Sequence, residues 1–478
     1  MIRAKKKAVA PSQNTSRVDL GVVLAAMAAL ILMLLLTILT EIAWFAHMAV
    51  LGATLLGGIC AIHRTGRFSL TSQFVFLTAL FLGSRFFLTV LNPSYPIEEC
   101  FLFSRTVLTP DQLFEMSLTY VVMMFGVTLG IVFSKPVPSI ESIVRPLPLK
   151  PFSQIALLVL APLLLIMIYN SGALLAALFQ HGYVAFFRNP ENYLATGFAP
   201  HVISRLVMIC IAVYLYSAPE RIGFAVLALI LFIGLLGSAT GQRAPLFLAA
   251  ILVIWLIATY NKSNVDFLRL ATLGFGLIVI AQSMITLRSG YSYSLLEMPR
   301  EFLHINGISI CTLGYVVAYP ELTAPGTPNY LLAPINDFFF RLFGGRDLFY
   351  LERSQEILDA SGYLSYHLTY VVNPAAFFAG NGTGTSFIAE FYASFGSTFI
   401  IFPSIALGAL LTYFDRNVMR NRFLLLMLPM VIYQIVYSPR DAIFKSIDNF
   451  VPLLLIFVVL EVFRRFLQRP GRKLQRTI

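Results

Sequence analysis

Charge is scarce in this sequence. Asp, Glu, Lys and Arg make up 12% of 478 residues, 58% are hydrophobic, and the mean hydropathy is +0.80. Soluble globular chains of this length carry about twice that share of charge. The in-out alternation of a transmembrane barrel is also missing. Cysteine is sparse: Cys60 and Cys210 fall in apolar runs, Cys100 and Cys311 between them. None has metal-ligand spacing, and Cys100 and Cys311 could pair only in an oxidising compartment. There is no nucleophilic triad, P-loop, dinucleotide fingerprint or zinc motif, and no DxD-like acidic pair in an outer loop. Neither a metal nor a cofactor is implied. No long internal repeat and no paired broken helices appear, which argues against a transporter.

What is present is a succession of apolar runs of about 17 to 25 residues, each able to cross the hydrocarbon core. The chain reads as an all-α polytopic membrane protein with about twelve transmembrane helices. The expected spans are 20–40, 42–62, 70–91, 113–133, 154–171, 202–217, 223–240, 244–260, 267–287, 387–413, 423–437 and 450–466. The first follows Arg3, Lys5, Lys6 and Lys7 as a signal peptide would. It is longer than a typical signal core and has no small-residue cleavage site, so it reads as a span.

Orientation follows from loop charge. With the N-terminus inside, the inner segments hold most of the 34 basic residues in much shorter loops. Both termini are then cytoplasmic, and the net charge of +11 needs no nucleic-acid partner. Four regions follow: 1–287 with spans 1–9, a long partly helical outer cap at 288–386, 387–466 with spans 10–12, and a basic cytoplasmic tail at 467–478.

Cations at the outer face run against that bias. Arg205, Arg243, Arg288 and Arg440 sit at the outer ends of spans 6, 8, 9 and 11, and Arg188 lies in an aromatic outer loop. Arg85 lies within a span. A guanidinium fork suits phosphate oxygens. For any one of these arginines, snorkelling or a loop ion pair is the plainer reading. Span 10 opens with Ser386, Glu390, Ser394 and Ser397 at i, i+4, i+8 and i+11, one polar stripe entering the membrane. A carboxylate one turn into a span is a functional candidate, here as a general base. An ion pair positioning Arg243 or Arg440 is the structural alternative. Arg440-Asp441 repeats the polar pattern at the end of span 11. His304 is a lone histidine in the cap, more simply a satisfied one. Tyr330, Phe338, Phe339 and Tyr350 could stack on sugars, though core packing suits most of them.

Three segments together resemble the Wzy-type polymerases of O-antigen and enterobacterial common antigen. They are Thr240-Gly241-Gln242-Arg243-Ala244-Pro245, a glycine–x–basic turn opening a span; Phe387-Ile388-Ala389-Glu390-Phe391-Tyr392-Ala393-Ser394-Phe395-Gly396 after the long loop; and Arg440-Asp441 before the last span. Ala389 stands where glycine is common in that family.

The resemblance implies a membrane-embedded, GT-C-like, metal-independent glycosyltransferase of the bacterial inner membrane. Its donor and acceptor would be glycans on undecaprenyl pyrophosphate at the periplasmic face, its product a surface polysaccharide such as lipopolysaccharide O-antigen. A chain-length regulator is a possible partner besides the lipid bilayer. Glu390, Arg243, Arg440 and Asp441 are the expected catalytic residues. Arg188, Arg205, Arg288, Tyr392, His304 and Arg341 are the expected substrate-binding ones. An O-antigen ligase shares the donor and stays open as an alternative; a lipid-linked glycan flippase is the more distant one.

Overall fold

The structure is a computed structural model. It describes residues 15–97, 107–138, 145–181, 200–238, 244–263, 297–343, 353–445 and 447–468, together with 272, 276, 279 and 294. Among them every regular element is helical. Apolar runs have no water to satisfy their backbone in a bilayer, so they close their hydrogen bonds internally. Seven described stretches have the length and hydropathy to cross a membrane, which makes this a multi-pass membrane protein.

The first half contains α1 (Thr15–Thr40), α2 (Ala43–Thr65), α3 (Leu70–Thr78), α4 (Ser84–Leu91), α5 (Pro110–Phe133) and α6 (Lys150–His181). A π-helical turn, Ala79–Gly83, joins α3 to α4, so Leu70–Leu91 is one continuous span. Three shorter apolar helices follow: α7 (Pro200–Tyr216), α8 (Phe224–Gly237) and α9 (Ala244–Trp255). The expected span 267–287 lies outside the described residues apart from three positions.

The region 297–343 and 353–386 carries α10 (Met298–Asn306), α11 (Ile310–Ala318), α12 (Ala333–Leu342), α13 (Gln355–Ala360), α14 (Leu364–Val372) and α15 (Pro374–Phe378). Its first part differs from a plain loop. Met298–Ala318 is itself long and apolar enough to cross a membrane. It is wedged against α4 and α5, with Ile310 and Leu313 fully buried. Periodicity alone does not separate a short buried helix from a covering one, and the polar residues of α10 mask the signal. The last described elements are α16 (Phe387–Phe399), α17 (Ile401–Asn417), α18 (Arg422–Val431), a π-turn at Ile432–Val436 like the one at Leu256–Tyr260 after α9, and α19 (Phe450–Gln468).

The tightest packing is α5 on α17. Gly126 and Gly130 stand one turn apart on α5, the first facing Ser404 and the second the backbone of Ile405 and Ala409 on α17, while Gly408 on α17 faces Val127. A Cβ on Gly126 would come within 2.6 Å of Ser404 Cβ, and one on Gly408 would strike the Val127 carbonyl. Lipid is as apolar as the helices, so close backbone contact through small residues is what holds such pairs together.

One end of the bundle is basic, and its arginines cap helices. Arg64 donates to the carbonyls of Val132 at 2.6 Å and Ser134 at 2.8 Å, closing α5. Arg422 donates to the carbonyl of Tyr216 at 2.8 Å, closing α7, and to that of Leu147. Arg145 donates to the carbonyl of Tyr260 and stacks over its ring. A cation at a helix C-terminus satisfies orphan carbonyls and the helix dipole together. Asp415 does the reverse. It accepts the N–H groups of Leu70 at 2.8 Å and Thr71 at 2.9 Å at the start of α3.

Candidate functional site

At the opposite end, α16, α10–α11 and the turn after α18 converge. Glu390 lies in the first turn of α16 and is buried. One carboxylate oxygen accepts the Ile443 backbone N–H at 3.1 Å, and the other has no hydrogen-bond partner among the described residues. The charges acting on it are those of Asp441 and Lys445. Just before it, the Ser386 and Thr312 hydroxyls are 2.8 Å apart and tie α16 to α11.

Arg440 and Asp441 are adjacent in sequence and turn to different partners. The Arg440 guanidinium donates from one nitrogen to the Asn306 carbonyl at 3.3 Å and the Ser309 hydroxyl at 3.2 Å. It also lies 5.5 Å from the centre of the Phe81 ring, on the first π-turn. Phe81 meets Tyr437, which follows the Ile432–Val436 π-turn, edge to face at 5.5 Å. Single π-turns recur at functional sites because they displace side chains from the regular helical face. Asp441 accepts from the Lys445 ammonium at 2.8 Å and 3.1 Å. The Asp441 carboxylate holds that ammonium well above the usual lysine range.

The structure sets Glu390 near Asp441 and adds Lys445, whereas Arg440, their neighbour in the chain, faces α10–α11. It does not pair Glu390 with Arg440, and the other half of that alternative, a pair with Arg243, lies outside the described residues. Arg188, Arg243 and Arg288 lie outside the described residues, as does the side chain of Arg341 on α12. Arg205 is exposed on α7, a helix whose neighbours are α6 and α18. The Tyr392 hydroxyl donates to Glu115 on α5 at 2.6 Å, which pins α16 rather than opening toward Glu390. His304 is hydrogen-bonded to the Tyr95 hydroxyl through its ring. Tyr330 is buried against His367. The serine stripe ends early: Gly396 at φ +71° breaks the helix, so Ser397 leaves the face of Glu390.

Arg85 is the residue that sequence reading passed over. It is fully buried and donates to the carbonyls of Ile97 at 2.8 Å and His304 at 3.2 Å, and to the Cys311 sulfur at 3.2 Å. Cys100, which the sequence offers as a possible partner for Cys311, lies outside the described residues. Next to Arg85, the Ser84 hydroxyl donates to the Leu303 carbonyl at 2.9 Å. A Cβ on Gly307 would strike that hydroxyl and lie 2.7 Å from Arg85 Cγ. These contacts seat α10 beneath the Arg440 turn. A lone arginine in an apolar span was the available signal. Among the described residues no group of His, Cys, Asp and Glu is arranged to hold a metal.

The arrangement offers a buried proton acceptor, a guanidinium with two unused nitrogens and an ammonium at one end of a membrane bundle. Comparison with known proteins gives no match to a curated protein and none to a solved structure. The family description O-antigen polysaccharide polymerase Wzy matches residues 22–467, almost the whole chain. The chain therefore belongs to the O-antigen polysaccharide polymerase Wzy family.

Proposed function

We propose that the protein joins undecaprenyl-pyrophosphate-linked oligosaccharide repeat units into a surface polysaccharide at the periplasmic face of the bacterial inner membrane. The fold would then be a GT-C-like bundle, with the region around 288–386 covering the site. The observation that carries the reading is the buried Glu390 carboxylate beside the Arg440–Lys445 turn, in a chain of this family.

In this reading an acceptor hydroxyl attacks the anomeric carbon of the donor glycan. The new glycosidic C–O bond forms as the bond to pyrophosphate breaks, and the carrier diphosphate leaves with the electron pair. Glu390 takes the hydroxyl proton through its unpartnered oxygen; Asp441 is the alternative base. Arg440 has Nε and its second terminal nitrogen available for phosphate oxygens, and Lys445 adds charge. Fixed cations aimed at charge that grows in the transition state do most of such work. Arg243 and Arg288 are proposed to share the pyrophosphate, with Arg188, Arg205 and Arg341 proposed for the second lipid-linked glycan. No role at the reacting atoms is proposed for Tyr392 or His304, whose polar atoms are engaged within the protein.

The test is deletion of the gene followed by gels of surface glycan. Caps of one repeat unit support a polymerase. Unattached polymer on the carrier would indicate a ligase, and trapped cytoplasmic intermediates a flippase.

A further inference from the structure

At the basic end a cleft of about 500 Å³ opens between α17 and α19. Each helix brings one stripe to it. On α17, Tyr413 and Asn417 line it, with Arg420 in the turn that follows, and Leu410 continues the same face at i−3 from Tyr413, beyond the cleft. On α19, Phe457, Glu461 and Arg464 line it at i, i+4 and i+7, and Leu454 continues the same face at i−3, beyond the cleft. Both stripes grade from aliphatic through aromatic to guanidinium in the same direction.

The charges do not cancel. Three guanidinium groups, Arg420, Arg422 and Arg464, line the cleft with one carboxylate, Glu461. Glu461 is fully engaged: one oxygen accepts from the Tyr216 hydroxyl at 2.8 Å, the other pairs with Arg464 at 2.6 Å. Arg422 is fixed by neutral backbone carbonyls, which leave its charge in place. Arg420 is exposed and has no hydrogen bond or ion pair among the described residues. The cleft thus holds a surplus of two positive charges on a rigid frame.

The apolar half decides what kind of anion fits. Tyr413 is 58% exposed, and Leu410 and Leu454 beyond it are 47% and 40% exposed. In a multi-pass membrane protein such a surface is covered by acyl chains. A free phosphate would engage the guanidinium end and leave this wall bare. Basic pockets between membrane helices at the cytoplasmic side favour anionic lipid headgroups. The loop charges assign this end to that side.

The geometry points to a binding site for an anionic phospholipid, its phosphodiester on Arg420, Arg422 and Arg464 and its acyl chains along Tyr413 and Phe457. This site stands at the opposite end of the bundle from Glu390 and is independent of the polymerase reading.

The test uses the full-length protein in detergent, offered phosphatidylglycerol, phosphatidylcholine or inorganic phosphate and read by native mass spectrometry. Phosphatidylglycerol is retained, and the other two are not. Charge-assisted contacts of this kind carry about tenfold each in affinity. Arg420→Gln, at an exposed position the fold does not use, lowers retention roughly tenfold, and Arg420→Gln with Arg464→Gln lowers it further. Arg300→Gln, exposed at the other end, retains lipid as the wild type does. Equal retention of phosphatidylglycerol by wild type and Arg420→Gln overturns the site. So does equal retention of phosphatidylcholine. Retention of inorganic phosphate without phosphatidylglycerol makes it a soluble-anion site and overturns the lipid assignment. Because the readout is binding, loss of the polymerase reading leaves this result standing.

Discussion

The Glu390 carboxylate meets the Ile443 backbone N–H at 3.1 Å, 53 residues further along the chain. That contact joins the first turn of α16 to the turn after α18, and it leaves one carboxylate oxygen for another molecule. A glutamine keeps an oxygen for the same N–H and loses the basic site. Glu390→Gln should therefore preserve folding while lowering polymer formation about 10²- to 10⁴-fold, the usual contribution of a general base. Polymerisation of purified lipid-linked repeat units gives the rate, and full-length polymer from this variant would remove Glu390 from the chemistry.

Arg440→Ala should abolish polymer with protein levels intact, and Arg243→Ala should do the same. Arg440→Lys should recover little, since an ammonium cannot reach two phosphate oxygens and the Ser309 hydroxyl in one plane. Surface-glycan ladders normalised to membrane protein content measure all three. Wild-type ladders from both alanine variants would refute the assignment.

Arg85→Ala acts on the fold. It leaves the Ile97 and His304 carbonyls without their buried donor. Each buried acceptor left without its donor costs about 1–3 kcal/mol. Limited proteolysis in detergent should cut within 298–318 sooner than in wild type. Unchanged cleavage there would mean that α10 is held by other contacts.

Gly408→Leu should be worse tolerated than Gly58→Leu. A side chain at Gly408 meets the α5 backbone, whereas nothing lies within 4 Å of a Cβ on Gly58. Overpacking costs about 1–3 kcal/mol, and more where backbone must move. Thermal denaturation in detergent separates the two, and equal midpoints would contradict the close α5–α17 approach.

The Asp441–Lys445 pair is a weak stabiliser. It is partly exposed, with side chains 26% and 44% accessible, and such pairs contribute about 0–1 kcal/mol. The raised Lys445 keeps that contribution present below the ordinary lysine range, and it is lost only as pH climbs above it. Lys445→Met should shift the melting midpoint equally at neutral and mildly alkaline pH, where Asp441 is ionised and Lys445 is still an ammonium. A shift that changes between them would mean that the ammonium is already lost below the ordinary lysine range and would contradict its hold by Asp441.

Sequence by itself determined the membrane class. Runs of apolar residues without charge leave the backbone no option but the helix, and α1 to α9 follow the expected spans within a few residues except α6, which runs on to His181 through what the sequence reads as an outer loop after 171. It also singled out Glu390, because a carboxylate in such a run is costly enough to need a reason. Partnership was not legible. Arg440 and Asp441 are neighbours in the chain, yet one reaches α10–α11 and the other Lys445, since a tight turn sends successive side chains apart. Arg64, Arg145 and Arg422 look like topological charge until three dimensions show each one closing a helix. Hydropathy sums over a local window, whereas a hydrogen bond between residues far apart in the chain exists only once packing has brought them within 3 Å or so. Tertiary structure therefore decided which polar groups share a site, and which only hold the helices that surround it.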